Sequence, residues 1–130
     1  MSKTTQTKKN MRLVMAVIIN SRKGENYNLK GLARSVWDVY AKHKVPDNYA
    51  DFEYFYVAAK RIASYKSLVI LKDPRADETI AQYAQRQMAL DLAKATTKYT
   101  AAKEVFELFQ KLGVKSGFTN FRSLLFSIMR

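Results

Sequence analysis

Apolar side chains recur at intervals of three and four residues along most of the chain, which is the pattern of amphipathic α-helices. The clearest example is NLKGLARSVWDVYAKH, residues 28–43, which begins with Asn28 as a candidate N-cap. Its apolar positions are Leu29, Leu32, Ala33, Val36, Trp37 and Tyr40. The spacing predicts an amphipathic helix with one face in the core.

The same pattern predicts five further helices. They cover about residues 11–21, 51–66, 77–94 and 100–112, and a last one begins near Thr119. The segment 11–21 is apolar on most sides, so its helix should lie at the centre of the fold. Gly113 is expected to end the helix over 100–112, because glycine readily adopts the left-handed conformation of a C-cap. The predicted fold class is mostly α, a compact bundle of about six helices.

The segment DFEYFYVAAKRIASYK, residues 51–66, carries more aromatic side chains than one buried face needs. Tyr54, Arg61 and Tyr65 fall opposite the face that Phe52, Phe55, Tyr56, Ala59, Ile62 and Ala63 supply to the core. These three residues could stack on bases and meet a phosphate, or anchor a partner protein. Alternatively, this helix is central and the C-terminal helices cover its far side.

The breaks between these helices suggest a topology for the N-terminal half. Pro46 disfavours a helical Val45, and Asp47 or Asn48 is a candidate cap for the next helix. Residues 68–71, LVIL, are predicted to form either one short β element, which we favour, or the buried end of the preceding helix, because periodicity does not separate the two. This order of elements resembles a winged-helix DNA-binding domain, in which residues 51–66 would be the recognition helix and residues near 68–75 would begin the wing.

The domain boundaries follow from composition. Residues 1–10, MSKTTQTKKN, contain no large apolar side chain after Met1 and are predicted to be a flexible basic tail. Residues 11–130 are predicted to form a single helical domain. The apolar run over 13–19 is too short to span a bilayer, so no membrane association is expected. The absence of cysteine agrees with a cytoplasmic location.

The charge of the chain predicts an acidic partner. Lys and Arg number 23 and Asp and Glu 11, which gives a formal net charge of +12. The excess is concentrated in residues 1–72, and nucleic acid is the leading candidate partner, DNA more than RNA. The candidate nucleic-acid-binding residues are Lys8, Lys9, Arg12, Arg22, Lys23, Lys30, Arg34, Lys42, Lys44, Lys60, Arg61 and Lys66.

The inventory of catalytic groups is thin. His43 is the only histidine, there is no cysteine, and the four glycines match no phosphate-binding loop. The carboxylates Asp47, Asp51 and Glu53 lie close together as in magnesium sites, but capping and solubility explain them better. We therefore expect no enzymatic activity, no catalytic residue, no metal and no cofactor.

These observations lead to two functional hypotheses. The first is a small, basic, non-catalytic nucleic-acid-binding protein, a DNA-binding transcription or replication accessory factor. The alternative is an interaction protein, of the kind bacterial viruses use to inhibit or redirect a larger host complex. Its basic charge would find an acidic surface on the partner protein, and the tyrosine-rich helix would anchor it through the partner-binding residues Tyr54, Arg61 and Tyr65. The oligomeric state is open, because FRSLLFSIMR, residues 121–130, suits both a core helix and a dimer edge.

Overall fold

The computed structural model describes residues 3–45, 51–65, 74–115 and 117–130. These residues form six α-helices and no β-strand. The helices are α1 (Lys3–Ser21), α2 (Leu29–Lys42), α3 (Phe52–Ser64), α4 (Ile80–Ala93), α5 (Lys98–Lys111) and α6 (Phe121–Met129). The prediction of a bundle of about six helices is confirmed. The β element predicted at 68–71 lies outside the described residues.

The first helix is longer than the sequence pattern predicts. It ends at Ser21 as expected but begins at Lys3 instead of Met11. Residues 3–10, which were expected to belong to a flexible tail, are therefore part of α1, and Thr7 and Asn10 are buried. The physical reason is that a polar side chain can be buried when it has hydrogen-bond partners, and Asn10 donates to Asp91 on α4.

Side-chain caps begin α2 and α3. Asn28 caps α2 as predicted, and its side chain accepts a hydrogen bond from a backbone N–H in the first turn. The cap of α3 is Asp51, whose side chain accepts from the backbone N–H of Tyr54 at 3.2 Å. The expectation of a cap at Asp47 or Asn48 is therefore wrong. Because the capping oxygen must reach the N–H groups of the first turn, it has to lie directly before that turn.

The C-terminal helices begin close to their predicted positions. Thr79 and Gln82 form a reciprocal capping box at the start of α4, which is a common helix start. Ile80, the first residue of α4, is exposed. The start of α5 is at Lys98, and Gly113 follows its end with a φ of +69°. The left-handed glycine that was predicted to end this helix is thus confirmed.

Two helices occupy the middle of the fold. α1 packs against α2, α3 and α4, while α4 packs against α1, α5 and α6. One continuous cluster of buried apolar side chains contains residues from all six helices. Its largest fully buried members include Met11, Met15, Phe55, Met88 and Phe109. The expectation that residues 11–21 form a central helix is confirmed, and α4 shares that position.

The third helix lies at the surface. Its principal contacts are with α1 and α2, and the side chains of Phe52, Phe55, Ala59 and Ile62 are buried there. Tyr54 is 63% exposed and Tyr65 is 52% exposed, and Arg61 is also exposed. The interpretation in which the C-terminal helices cover this side of α3 is therefore wrong. The exposed aromatic rings require an explanation outside the core.

The last helix completes the core on one side. Leu124 and Ile128 are buried, while Phe126 and Met129 on the same helix are exposed. Packing of α6 against α4 and α5 accounts for the buried pair. Of the two roles left open for residues 121–130, completion of the core is confirmed.

Candidate functional site

Aromatic rings line the contact between α2 and α3. Trp37 stacks on Phe55 with ring centroids 5.9 Å apart and meets the edge of Phe52 at 6.3 Å. Phe52 in turn lies nearly parallel to Tyr56, with centroids 5.9 Å apart and an angle of 7° between the ring planes. Phe52 and Phe55 are buried, whereas Trp37 and Tyr56 are half-buried. The row of rings therefore leads from the core to the surface.

Three cations lie over two rings of this row, those of Phe52 and Tyr56. The guanidinium carbon of Arg34 is 3.8 Å from the centroid of the Phe52 ring. The ammonium nitrogens of Lys30 and Lys60 are 5.7 and 5.0 Å from the centroid of the Tyr56 ring. Such cation–π contacts hold a charged side chain against a ring while its charge stays in water. We define Lys30, Arg34, Tyr56 and Lys60 as the α2–α3 surface.

A second set of exposed side chains follows the solvent side of α3. Tyr54, Val57 and Arg61 are spaced three and four residues apart, so they share one side of the helix, and Tyr65 is its C-cap. All four are exposed. We define these four residues as the outer face of α3. Because Val57 and Lys60 are three residues apart on α3, they are neighbours on the helix surface, and the outer face borders the α2–α3 surface there.

Acidic groups near these surfaces are concentrated at the start of α3. Asp51 and Glu53 are exposed, and the carboxylate of Asp51 is occupied as the N-cap. On α2, Asp38 lies 3.9 Å from Arg34 in an exposed ion pair. The first turn of α3 is therefore acidic, whereas its second half carries the cations Lys60 and Arg61.

The predicted phosphate contact Lys42 already has a partner. Its ammonium is 2.5 Å from Oε1 of Glu104 on α5, and His43 contacts the other carboxylate oxygen. Burial alone would raise the pKa of Glu104, but the hydrogen bonds from Lys42 and His43 lower it below its usual value. The pKa of Lys42 is raised by the same hydrogen bond. Lys42 is therefore paired with a carboxylate of α5, although its side chain is exposed like that of the neighbouring Lys44.

The remaining predicted basic residues are distributed along α1 and the first loop. On α1, Lys9 and Arg12 are exposed and Lys8 is half-buried. In the loop, Lys23 is exposed, whereas Arg22 pairs with Glu25 at 3.0 Å. Lys66 lies outside the described residues. Of the twelve candidates, the structure brings Lys30, Arg34 and Lys60 together around one pair of rings.

Sequence reasoning missed a polar cluster in the core. Asp91 on α4 accepts hydrogen bonds from Asn10 Nδ2 at 2.9 Å and from the Tyr40 hydroxyl at 3.0 Å. Burial raises the pKa of Asp91 to about 6, although both hydrogen bonds act in the opposite direction. Burial and the neighbouring Asp91 also raise the pKa of Tyr40. Because these groups are enclosed and bonded to one another, their role is structural.

A second missed pair lies between α4 and the turn before it. Arg86 donates two hydrogen bonds to Glu78, at 2.7 and 2.8 Å. Burial would raise the pKa of Glu78, but the hydrogen bonds from Arg86 and from the backbone of Arg75 lower it. An open cavity of about 410 Å³ lies between Glu78 and α6. The separation of Arg86 from Glu78 by eight residues carries no sequence signal, so only the fold reveals the pair.

Among the described residues, no group of three or more His, Asp or Glu side chains is arranged to hold a metal ion. No helix within the described ranges combines the length and apolar character needed to cross a membrane. The chain matches no protein-family model, and it has no significant similarity to a curated protein or to a solved structure.

Proposed function

We propose that this chain is a small, non-catalytic protein that binds nucleic acid, with DNA as the polymer, through the α2–α3 surface. The observation that supports it is the arrangement of Lys30, Arg34 and Lys60 around the rings of Phe52 and Tyr56. Each cation is held in place by a ring and still exposed to solvent. The surface can therefore offer several fixed positive charges to neighbouring phosphates.

The gain in free energy comes mainly from the release of counterions condensed on the nucleic acid. A chain with a net charge of +12 is attracted to such a polymer before any specific contact forms. Phosphate contacts position a protein on nucleic acid without reading its sequence. This behaviour suits a transcription or replication accessory factor that works in the cytoplasm.

A winged-helix-like arrangement of the N-terminal half is a finer form of this proposal. The mutual packing of α1, α2 and α3 supports it, because a three-helix unit of this kind presents its third helix to DNA. The wing would lie near residues 68–75, most of which fall outside the described residues. Asp51 and Glu53 at the start of α3 count against entry of that end into a major groove, since phosphates repel carboxylates.

The proposal is tested by comparing two triple variants with the same loss of charge. The first replaces Lys30, Arg34 and Lys60 with Gln, and the second replaces Lys98, Lys103 and Lys111 of α5, which are all exposed. Binding to labelled DNA is measured by fluorescence anisotropy at several salt concentrations, and thermal melting verifies that each variant is folded. Each phosphate contact contributes about 0.9 to the slope of log K against log salt on duplex DNA.

We expect the wild type to bind with a steep salt dependence. The α2–α3 variant should bind at least about tenfold more weakly, with a slope reduced by about two to three. The α5 variant should keep the wild-type slope. Equal effects of both variants would reject this surface as the site, and absence of binding at low salt would reject the nucleic-acid function itself.

A second candidate function, binding to a larger protein complex, is favoured by the outer face of α3. Tyrosine and arginine are the preferred anchors of protein interfaces, and Tyr54, Arg61 and Tyr65 are all exposed. The test is a pulldown of partner proteins after nuclease treatment. It compares the wild type with the double variant Tyr54→Ala, Tyr65→Ala. A partner that resists nuclease and is lost in this variant would favour the second function.

A further inference from the structure

We infer that the ligand is single-stranded DNA, whose bases stack on Tyr54 and Tyr65 while Arg61 meets the phosphate backbone between them. This inference rests on the proposed nucleic-acid function and adds the class of ligand. Proteins that bind single strands combine a positive surface with exposed aromatic side chains on which bases stack. The outer face of α3 and the α2–α3 surface together provide both parts.

Tyr54 and Tyr65 expose their rings to solvent. Transfer of a tyrosine ring out of water is favourable, yet these two side chains remain 63% and 52% exposed. Tyr56, on the same helix, is half-buried and already holds Lys30 and Lys60. The two exposed rings are thus available for a ligand, and the cations beside them favour an anionic one.

The spacing along α3 suits several nucleotides. Tyr54 and Tyr65 are eleven residues apart, which corresponds to about 16 Å at about 1.5 Å per residue. A stacked strand rises about 3.4 Å per nucleotide, so the two rings span about five steps. Arg61 lies between them, on the same side of the helix. One strand can therefore contact both rings and the guanidinium together.

The same face is poorly suited to the groove of a duplex. Reading of base pairs in a major groove requires polar side chains that reach the base edges, usually from the first turns of the helix. Here the first turn presents Glu53, and the carboxylate of Asp51 is used as the cap. In a duplex the bases are also stacked on one another, so the flat faces of Tyr54 and Tyr65 would find no base.

The neighbouring polar groups favour DNA over RNA. Proteins distinguish RNA by contacts to its 2′-hydroxyl group. The hydroxyl of Ser64, which directly precedes Tyr65, is occupied, because it donates a 2.7 Å hydrogen bond to the carbonyl of Arg61. Apart from the phenolic hydroxyls of the two tyrosines, the outer face carries no Asn, Gln, Ser or Thr side chain. No side-chain amide or aliphatic hydroxyl on this face is therefore available to contact a 2′-hydroxyl.

The experiment compares three labelled probes of the same sequence, about 20 nucleotides long, which exceeds the usual span of such sites. The probes are single-stranded DNA, the same strand in a duplex, and single-stranded RNA. They are titrated with wild type and with two double variants, Tyr54→Ala with Tyr65→Ala and Tyr54→Phe with Tyr65→Phe. Tyr99→Ala, which removes an exposed tyrosine from α5, is the matched control.

We expect single-stranded DNA to bind more tightly than the duplex and at least as tightly as RNA. The alanine pair should weaken this binding by at least about tenfold, because base–aromatic stacking contributes about 1–3 kcal/mol per base. The phenylalanine pair keeps the rings and should stay within about threefold of wild type. The Tyr99 variant should bind like wild type.

Different experimental outcomes would reject this inference alone or the proposed function with it. If the duplex binds best, or if the alanine pair binds like wild type while the Lys30, Arg34 and Lys60 variant is weakened, only the single-strand inference is rejected. Tighter binding of RNA would reject the choice of DNA. If no probe binds at low salt, and a partner protein instead depends on Tyr54 and Tyr65, both the inference and the proposed function are rejected.

Discussion

The hydroxyl of Tyr40 donates a 3.0 Å hydrogen bond to Oδ2 of Asp91, which joins α2 to α4 inside the core. The other carboxylate oxygen accepts from Asn10 on α1, at 2.9 Å. One buried carboxylate thus connects three helices. Burial penalises the charged form of such a group, and this penalty explains why the pKa of Asp91 is raised to about 6.

The raised pKa of Asp91 makes the stability of the fold pH-dependent. A folded-state value of about 6 against an ordinary 3.8 means that the favourable contribution is complete below about pH 4 and is lost as pH rises through 6. Over the whole range, from pH values well below 3.8 to values well above 6, this loss amounts to about 3 kcal/mol in the free energy of unfolding. Asp91→Asn should remove this pH dependence and keep the contacts, because the amide can accept a hydrogen bond from Asn10 and donate one to the Tyr40 hydroxyl.

The measurement is urea denaturation of wild type and Asp91→Asn at several pH values. The difference in the free energy of unfolding between the two proteins reports on Asp91. Glu78 and Glu104 have lowered pKa values, so their contributions change with pH in the opposite direction, but they are present in both proteins and cancel in the difference. Asp38→Asn, at an exposed position on α2, is the matched control. A wild-type-minus-variant difference that does not change with pH would contradict the prediction.

Replacement of only one partner of the buried ion pair between Arg86 and Glu78 should lower the stability of the fold. Their side chains are only 9% and 4% exposed, so Arg86→Met leaves a buried carboxylate without its partner. The carboxylate keeps the hydrogen bond from the backbone of Arg75, so we expect a loss toward the lower end of about 3–5 kcal/mol in the free energy of unfolding, measured by urea denaturation at neutral pH. A double variant that also replaces Glu78 with Leu should recover part of that loss.

An exposed ion pair provides the comparison for that result. Arg34 and Asp38 are 3.9 Å apart with side chains 51% and 62% exposed. Asp38→Asn should cost less than about 1 kcal/mol, because water screens such pairs. Similar losses in the free energy of unfolding for Arg86→Met and Asp38→Asn would show that burial does not control the strength of these ion pairs.

Binding of DNA should depend more on Lys60 than on Lys42. Both side chains are exposed, but the ammonium of Lys42 is bonded to the carboxylate of Glu104, whereas that of Lys60 lies over the uncharged ring of Tyr56. We expect Lys60→Gln to weaken binding by a larger factor than Lys42→Gln, as measured by anisotropy at low salt. A stronger effect at Lys42 would indicate that the site lies toward α5.

The capping box of α4 should contribute measurably to stability. The Thr79 side chain accepts from the backbone of Gln82 at 3.0 Å, and the Gln82 side chain accepts from the backbone of Thr79 at 2.9 Å. Thr79→Ala should cost about 1 kcal/mol in the free energy of unfolding, measured by thermal or urea denaturation. Thr79→Ser keeps the capping oxygen and should unfold like wild type; a loss as large as that of Ala would contradict the capping role.

Local pattern was sufficient to predict most of the helices. Asn28 and the stripe of Leu32, Ala33, Val36 and Tyr40 predict α2 and its buried face. Such features are visible because a helix brings residues three and four apart onto one side. The cap of α3 was assigned to the wrong residue because several residues before it, Asp47, Asn48 and Asp51, are chemically suitable.

Contacts between distant segments could not be predicted in this way. Asn10, Tyr40 and Asp91 are polar or amphipathic residues in three separate helices, and nothing local marks them as partners. The cations around Tyr56 were predicted singly as basic residues, but their convergence depends on how α2 packs against α3. The exposure of Tyr54 and Tyr65 likewise depends on which helices cover α3.

The hydrogen bond from Asn10 to Asp91 affects the interpretation of any shortened form of this chain. A protein that began at Met11 would lack Lys8 and Lys9, but it would also lack one donor to a buried carboxylate. Reduced DNA binding by such a deletion would therefore combine lost charge with a loosened contact between α1 and α4. Replacement of Lys8 and Lys9 by Gln, without any deletion, separates the two effects.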